Sequence, residues 1–348
     1  MSLFLKTLGR AAYSAEQSVR IAWHTAHYAA IRHISGPAGR PGEAPYAARS
    51  PRLSRDALAR AFRAVFAQEW RYIKAGYYAA PRSRWRPGAG LRALKTSRAL
   101  LRDARRVARR KQAGGHSEAN RPESAHLPRY YRQNFHFQTD GWLSDASAAI
   151  YDAQVEALFT GAAGPMRRQA LVPLARFLAD MDTRRMRFVD IGTGTGAFLR
   201  EVVERYPRMP SIGIDLSTPY LRRARRRCPA GRFIQANAEQ IPLADASVDI
   251  VSACYLFHEL PAAARARVAA EIGRVLRPGG LFLLTDTIQR GDAPELDILL
   301  ELFPREFHEP YFASYIEADL KALFAPSRLA LFDERTGFLT KSSAFRKL

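Results

Sequence analysis

The stretch Phe188-Val-Asp-Ile-Gly192-Thr-Gly194-Thr-Gly196 decides the fold. An apolar run of strand character enters three glycines at alternate positions, and a helical pattern over 196–206 follows. Glycines serve a backbone that must turn sharply and let a ligand approach. The helix N-terminus behind them has N–H groups free to meet that ligand. The spacing is Gly-x-Gly-x-Gly, one residue shorter than the Gly-x-Gly-x-x-Gly of dinucleotide-binding turns, which disfavours a nucleotide-linked dehydrogenase. Asp190, just before the glycines, suits a cationic ligand better than a pyrophosphate. A plain strand–helix turn would leave the same pattern.

Strand and helix patterns alternate outward from this stretch. Strands are expected over 187–191, 211–215, 232–236, 248–253 and 280–286, and helices over 196–206, 219–228 and 262–276. Further helices are expected near 294–303 and 311–324, then strands near 328–333 and 337–345. The alternation predicts an α/β, Rossmann-like, doubly wound and mostly parallel sheet with an antiparallel edge, binding its ligand at the carboxyl ends of the strands.

Three further motifs follow in order. Ile212-Gly-Ile-Asp215-Leu216-Ser217 ends the second strand, about twenty residues after the glycines, where a carboxylate can accept both hydroxyls of a ribose. Asp215 also fits a helix N-terminal acid, because Ser217 and Pro219 start a helix. Gln235-Ala-Asn237-Ala238-Glu239-Gln240-Ile-Pro242 follows the third strand and offers an amide to an adenine edge. Leu276-Arg-Pro278-Gly279-Gly280 punctuates the entry to the fifth strand.

Together these motifs resemble the class I S-adenosylmethionine (SAM)-dependent methyltransferases, and within them the small-molecule branch with the ubiquinone and menaquinone biosynthesis C-methyltransferases. The resemblance covers about residues 185–290 and runs more loosely to 348. Phe135-His-Phe-Gln-Thr-Asp-Gly-Trp-Leu-Ser, within Tyr130–Arg168, resembles a lead-in of some bacterial and plastid-type members. The resemblance implies SAM as cofactor. Asp190 would fix the glycine loop and face the methionine amino group. Gly192, Gly194 and Gly196 would line methionine and ribose, and Asp215 would hold the ribose hydroxyls. Leu216 would pack on adenine, and Asn237, where the branch commonly has Asp, would face its amino group. Ala238 would contribute backbone, and Cys254 would lie near the methionine. His258, in Tyr255-Leu-Phe-His258-Glu259-Leu, and His136 are the candidate proton acceptors. His258 also reads as a helix-end residue behind the site. The aromatics around His136 read either as a lid over a sulfonium or as packing.

The chain has 348 residues, a net charge of +21 and two cysteines, Cys228 and Cys254, which cannot form a disulfide framework. No His/Asp/Cys cluster stands at metal-ligand spacing, so no metal is expected. The charge is uneven. Residues 1–120 hold 24 Lys/Arg against 6 Asp/Glu, and residues 121–348 hold 30 against 27. Three regions are expected: a basic helical extension over 1–120, an aromatic-rich lead-in over 121–184 covering the active site, and the SAM-binding domain over 185–348.

In the extension, Leu8, Ala12, Ala15, Val19 and Ala22 form one helical stripe, residues 36–52 read as a Pro/Gly linker, and Ser54 caps a helix carrying Leu58, Phe62, Val65, Phe66, Trp70 and Ile73. Pro81 to Gly90 breaks the pattern before an Arg-dense helix over 91–111, and Ala113–Pro128 reads as a second linker. Helices are then expected over 145–160 and over 165–180, the latter opened by Pro165.

Leu3–Leu5 is too short for a signal-peptide core, and a cytoplasmic setting is expected, with peripheral contact to an anionic membrane through residues 1–120. The expected activity is methyl transfer to an oxygen, nitrogen or activated carbon of a small acceptor, and a lipophilic acceptor at a membrane would reconcile this core with the basic front. RNA methylation would use the basic front, but no Asn-Pro-Pro-Tyr-like or Pro-Cys motif supports nucleic acid. A non-catalytic SAM-binding scaffold is opposed by the intact glycines and Asp215.

Overall fold

The computed structural model describes residues 3–36, 48–81, 89–121, 124 and 126–348. Most of the 36–52 linker and of the break before Gly90 lies outside these residues. The chain opens with α1 (Leu3–Ser35), α2 (Arg55–Lys74) and α3 (Ala89–Gln112). The lead-in holds two 3-10 turns, Arg129–Tyr131 and Phe135–Phe137, followed by α4 (Asp145–Leu158), α5 (Ala163–Arg168) and α6 (Leu171–Phe177). Then come β1 (Phe188–Ile191), α7 (Ala197–Arg205), β2 (Ser211–Asp215), α8 (Thr218–Arg227), β3 (Arg232–Gln235) and β4 (Val248–Cys254). After α9 (Ala262–Val275) and β5 (Leu276–Thr287), the short helices α10 (Asp297–Glu306), α11 (Phe312–Ile316) and α12 (Leu320–Phe324) lead to β6 (Leu329–Gly337) and β7 (Thr340–Lys347).

Among the described residues the strands form one sheet in the order β3-β2-β1-β4-β5-β7-β6. β1 to β5 are parallel neighbours, and β7 runs antiparallel between β5 and β6. The order reverses between β1 and β4, which opens a crevice at their carboxyl ends. Alternation along each strand feeds two cores. Val189, Ile191, Val251, Phe282 and Phe345 pack with α9 and α12 on one face. Phe188, Ile250, Leu281, Leu283 and Ala344 pack with α6 and α7 on the other. The Leu276–Gly280 motif is an outward loop within β5: Leu276 pairs with Val248 and Leu281 already with Ile250.

The helices depart from the sequence reading in three places. The helix expected near 311–324 is two, α11 and α12, the second capped afresh by Asp319, which accepts from the Ala322 N–H. Residues 165–180 are two helices, because Pro173 has no N–H for the carbonyl of Gln169 and its ring crowds that carbonyl. Pro165 is the third residue of α5, not its opener. In α1 the expected stripe is the wrong one. Ala12 and Ala15 are exposed and Val19 is 68% exposed, while Tyr13 and Gln17 are buried. The alanines bring little area to bury, whereas the Tyr13 ring packs against Trp70 and its hydroxyl reaches the α2 acid Glu69.

That acid ties the front of the chain to the sheet domain. Glu69 Oε2 accepts from Tyr13, and Glu69 Oε1 accepts from Arg168 Nε at 2.5 Å. Arg168 also donates to Glu201 on α7 at 3.1 Å. Glu69 and Arg168 are 1% and 3% exposed, so removing Arg168 leaves Glu69 with the Tyr13 hydroxyl, and removing Glu69 leaves the buried guanidinium with Glu201 as its remaining acid. Glu69→Ala should cost about 3 kcal/mol in urea unfolding. The joint replacement Glu69→Leu with Arg168→Met should recover most of that loss, whereas additive losses would show that the pair is not what matters there.

Candidate active site

The glycine loop after β1 is held by three aspartates, each on a different residue. Asp190 Oδ2 accepts from the Thr193 hydroxyl at 2.7 Å, and its Oδ1 accepts from Ser252 on β4 at 2.6 Å. Asp215 Oδ2, at the end of β2, accepts from the Gly194 N–H at 2.7 Å, and its Oδ1 accepts from the Ser217 N–H at 2.8 Å. Asp152 on α4 accepts from the Thr195 hydroxyl at 2.7 Å and is itself held by Arg227 of α8. Burial pushes the Asp190 carboxyl up to about 6 against its two hydroxyl donors. It pushes Asp215 up to about 6 against its backbone donors.

The loop faces a cavity of about 780 Å³, counted to its open mouth. Of the expected SAM-site residues, Gly192, Gly194, Asp215, Leu216, Asn237 and Ala238 lie on its wall. Gly192 has φ +63°, and a Cβ on it would stand 3.0 Å from Leu256, itself a wall residue. Gly196 is not on the wall. A Cβ there would meet Ala224 at 3.0 Å, so this glycine lets α7 pack close to α8. Asp190 and Cys254 also stand off the wall. Both Asp190 oxygens are taken by hydroxyls, and Cys254 sits beside Arg167, its thiol pushed up by burial.

Much of the remaining wall is aromatic, from Tyr130, Tyr131, Trp142, Tyr151, Tyr220 and Tyr255, and the rest is aliphatic apart from Glu259. The cluster after Tyr130 therefore divides. Tyr130, Tyr131 and Trp142 reach the cavity, whereas Phe135 and Phe137 are fully buried, with Phe135 stacked on Trp142 at 4.2 Å. Tyr151, Tyr220 and Tyr255 went unnoticed in the sequence. Tyr151 lies midway along α4, Tyr220 in the first turn of α8 and Tyr255 just past β4, where a tyrosine reads as ordinary packing. The reading of Ala113–Pro128 as a linker also needs correction: Ala119, Ser124 and Leu127 are buried, and the Asn134 side chain accepts from the Ala119 N–H.

The two candidate histidines meet behind this wall, in an acid cluster. His258 Nδ1 is 2.5 Å from Asp286, and its Nε2 points towards Glu259 at 3.5 Å and Glu309 at 4.0 Å. His136 Nε2 is 3.1 Å from Glu259 and 3.0 Å from Glu309. Glu259 is the member of this group on the cavity wall. Burial works against the charge on each imidazole, yet Asp286 with Glu259 holds His258 well above its ordinary value, and Glu309 with Glu259 raises His136. Burial also pushes Glu309 up to about 7. His258 is thus not a base presented to the cavity, because both of its nitrogens face carboxylates. Glu259 and Glu309 carried no sequence signal as a pair, being 50 residues apart.

The sequence profile of a family described as "Methyltransferase domain" matches residues 188–280. A dimethylglycine N-methyltransferase of Parasynechococcus marenigrum is 34% identical over 160 residues, which are 44% of this chain and 55% of that protein. The chain thus spans about half the length of that relative. A demethylmenaquinone methyltransferase of Deinococcus radiodurans is 30% identical over 174 residues, 45% of this chain and 70% of that protein. The crystal structure of a SAM-dependent methyltransferase from Aquifex aeolicus is 17% identical and aligns with a TM-score of 0.40 over 53% of this chain and 94% of that one.

The raised Asp215 carboxyl makes a prediction about stability. Its proton is held more tightly in the folded chain, so its contribution favours folding at low pH and is lost as pH rises from its ordinary value of 3.8 through about 6. Asp215→Asn should therefore gain about 2 kcal/mol on wild type between pH 4 and pH 6.5 in urea unfolding. Parallel pH profiles for the two proteins would contradict this.

Proposed function

The chain belongs to the class I SAM-dependent methyltransferases, and on that premise we propose that it methylates a small, lipophilic acceptor inside the aromatic cavity. The carrying observation is the wall itself: Asp215 beside Gly192 and Gly194, a second carboxylate in Glu259, and five tyrosines, a tryptophan and aliphatic side chains over most of the rest. The residues present fit the cofactor. A Cβ on Gly192 would press on Leu256 and narrow the cavity, and each Asp215 oxygen spends one lone pair on a backbone N–H and keeps another for a ligand hydroxyl.

Bound SAM would supply a sulfonium-activated methyl group. Asp215 would take its ribose hydroxyls, and Leu216, Asn237 and Ala238 its adenine. Asn237 is set for this by its Oδ1, which accepts from the Glu239 N–H at 3.0 Å and fixes the amide plane. Asp190 would act one step back, holding Thr193 and so the loop. The tyrosine and tryptophan faces would exclude water and favour a cation among them. Gly196 has no part in ligand contact in this reading, and His258 serves to position Glu259.

The basic front would bring the enzyme to an anionic membrane where a lipophilic acceptor resides. Along α3, Leu91 and Leu94 are 60% and 53% exposed, and Arg98, Arg102, Arg105 and Arg109 continue the same exposed face. On α1, Val19 and Trp23 are exposed as well. Among the described residues no helix is long and apolar enough to cross a membrane. Leucines beside a row of arginines suit shallow insertion under anionic headgroups.

Two measurements test these readings. Calorimetry should find micromolar SAM binding to wild type, and Asp215→Ala should weaken it at least tenfold (roughly 1.4 kcal/mol). A folded wild type that binds no SAM would overturn the reading. Sedimentation with phosphatidylserine-containing vesicles should pellet wild type at low salt. Replacing Arg98, Arg102, Arg105 and Arg109 by Gln should release it, and equal pelleting would remove the membrane from the picture.

A further inference from the structure

The cluster behind the cavity wall holds more acid than its neighbours can satisfy. Three carboxylates, Glu259, Asp286 and Glu309, face two imidazoles, His136 and His258. Asp286 is fully served: it accepts from the Phe257 N–H at 2.9 Å and from the Thr287 N–H at 2.8 Å, and it contacts His258. Glu309 is not. Its side chain is 0% exposed, and neither of its oxygens has a hydrogen bond of proper geometry. Glu259 Oε2 is likewise buried without a partner. Such a group is costly to bury, and more so if charged, unless something meets it.

The geometry points to what would meet it. An imidazole nitrogen has one in-plane direction, yet His136 Nε2 lies 3.1 Å from a Glu259 oxygen and 3.0 Å from a Glu309 oxygen. It can donate a good hydrogen bond to one of these only. One ligand atom from each of His136, Glu259 and Glu309 lies within 4.8 Å of the others. Ligands about 2.0–2.2 Å from a common ion stand roughly 3–4 Å from each other; both distances from His136 Nε2 fall in that range, and the third side of the triangle, at most 4.8 Å, needs only a small shift of a carboxylate to join them. The backbone supports it: His136 sits at φ +56°, its N–H bonded to the His308 carbonyl at 3.1 Å, which ties the lead-in turn to the segment carrying Glu309.

We propose that His136, Glu259 and Glu309 bind one divalent transition-metal ion at the acceptor end of the cavity, where it holds an oxygen-bearing acceptor. One nitrogen and two carboxylate oxygens suit Zn2+ or Mn2+ better than Ca2+ or Mg2+, which prefer oxygen throughout. Three protein ligands leave positions open, and Glu259 is on the cavity wall, so those positions can be reached by a ligand in the cavity. His258, anchored by Asp286, stands behind Glu259 and Glu309 and orients them, the usual task of a residue one layer out from an ion. Its part is that of a positioning residue. The ion's role towards an acceptor rests on the methyltransferase reading; its binding does not.

The experiment is calorimetric titration of Zn2+ into the full chain after chelator treatment and dialysis, with SAM titrated in parallel. The expected result is one equivalent of Zn2+ with micromolar or tighter affinity, weakened at least tenfold in both Glu309→Gln and His136→Ala, with SAM affinity retained in Glu309→Gln. If the variants fail to fold, Co2+ absorption and Zn2+ X-ray absorption on wild type give a second reading, which should report one nitrogen and two carboxylate ligands. A folded wild type that binds SAM but takes up no stoichiometric ion overturns the proposal, leaves the function standing and means that a shared proton joins the carboxylates. Zn2+ uptake unaffected by either substitution also overturns it. Ion binding without SAM binding would instead sink the methyltransferase reading.

Discussion

Thr193, Gly194 and Thr195 are each tied to a different aspartate, from β1, β2 and α4, and the site depends on that threefold hold. A glycine-rich loop loses more conformational entropy on ordering than any other segment of its length. Here the cost is met by short bonds to carboxylates that are themselves buried or half-buried. Two of the three sit at strand ends, so the sheet's register sets the loop's position. The third comes from the helical lead-in, which therefore helps to shape the cavity as well as to cover it.

What was legible in the sequence is what local chemistry dictates. Phe188–Ile191 reads as a strand because Phe188, Val189 and Ile191 are aromatic or β-branched. Ser54 reads as a cap and does accept from the Ala57 N–H at 3.0 Å. Asp215, Leu216, Asn237 and Ala238 all lie on the cavity wall, as motif order implied. What was not legible depends on partners distant in the chain. The stripe of α1 was misjudged because the value of Tyr13 lies in Glu69, 56 residues away. Gly196 looked like part of a ligand loop, although its neighbour is Ala224. Glu309 gave no sign at all, since a lone acid near a helix start reads as solvated until the fold seals it against His136.

Polar groups recur in this molecule as joints between layers. Glu69 and Arg168 fasten α2 to α5 beneath Tyr13 of α1, and Arg227 with Asp152 fastens α8 to α4 beside the glycine loop. Such pairs add little net stability compared with apolar residues of the same size. Their geometry is narrower, however, and a helix held by a buried ion pair has fewer ways to slide. Positions set this way reach the cavity, because α4 carries Tyr151 and α8 carries Tyr220 on its wall.

The placement of β7 has a consequence for how the chain is made. The last strand in sequence is not the last in the sheet: it lies between β5 and β6, pairing along both edges. During synthesis β5 therefore emerges with an open edge, and β6 emerges with no strand to join. Both wait for residues 340–347. The Phe345 side chain, fully buried between Phe282 and Phe324, completes that core at the same moment. A nascent chain of this protein exposes a long apolar strand edge until residues 340–347 are free to pair, which makes that interval a time when it needs protection from its neighbours.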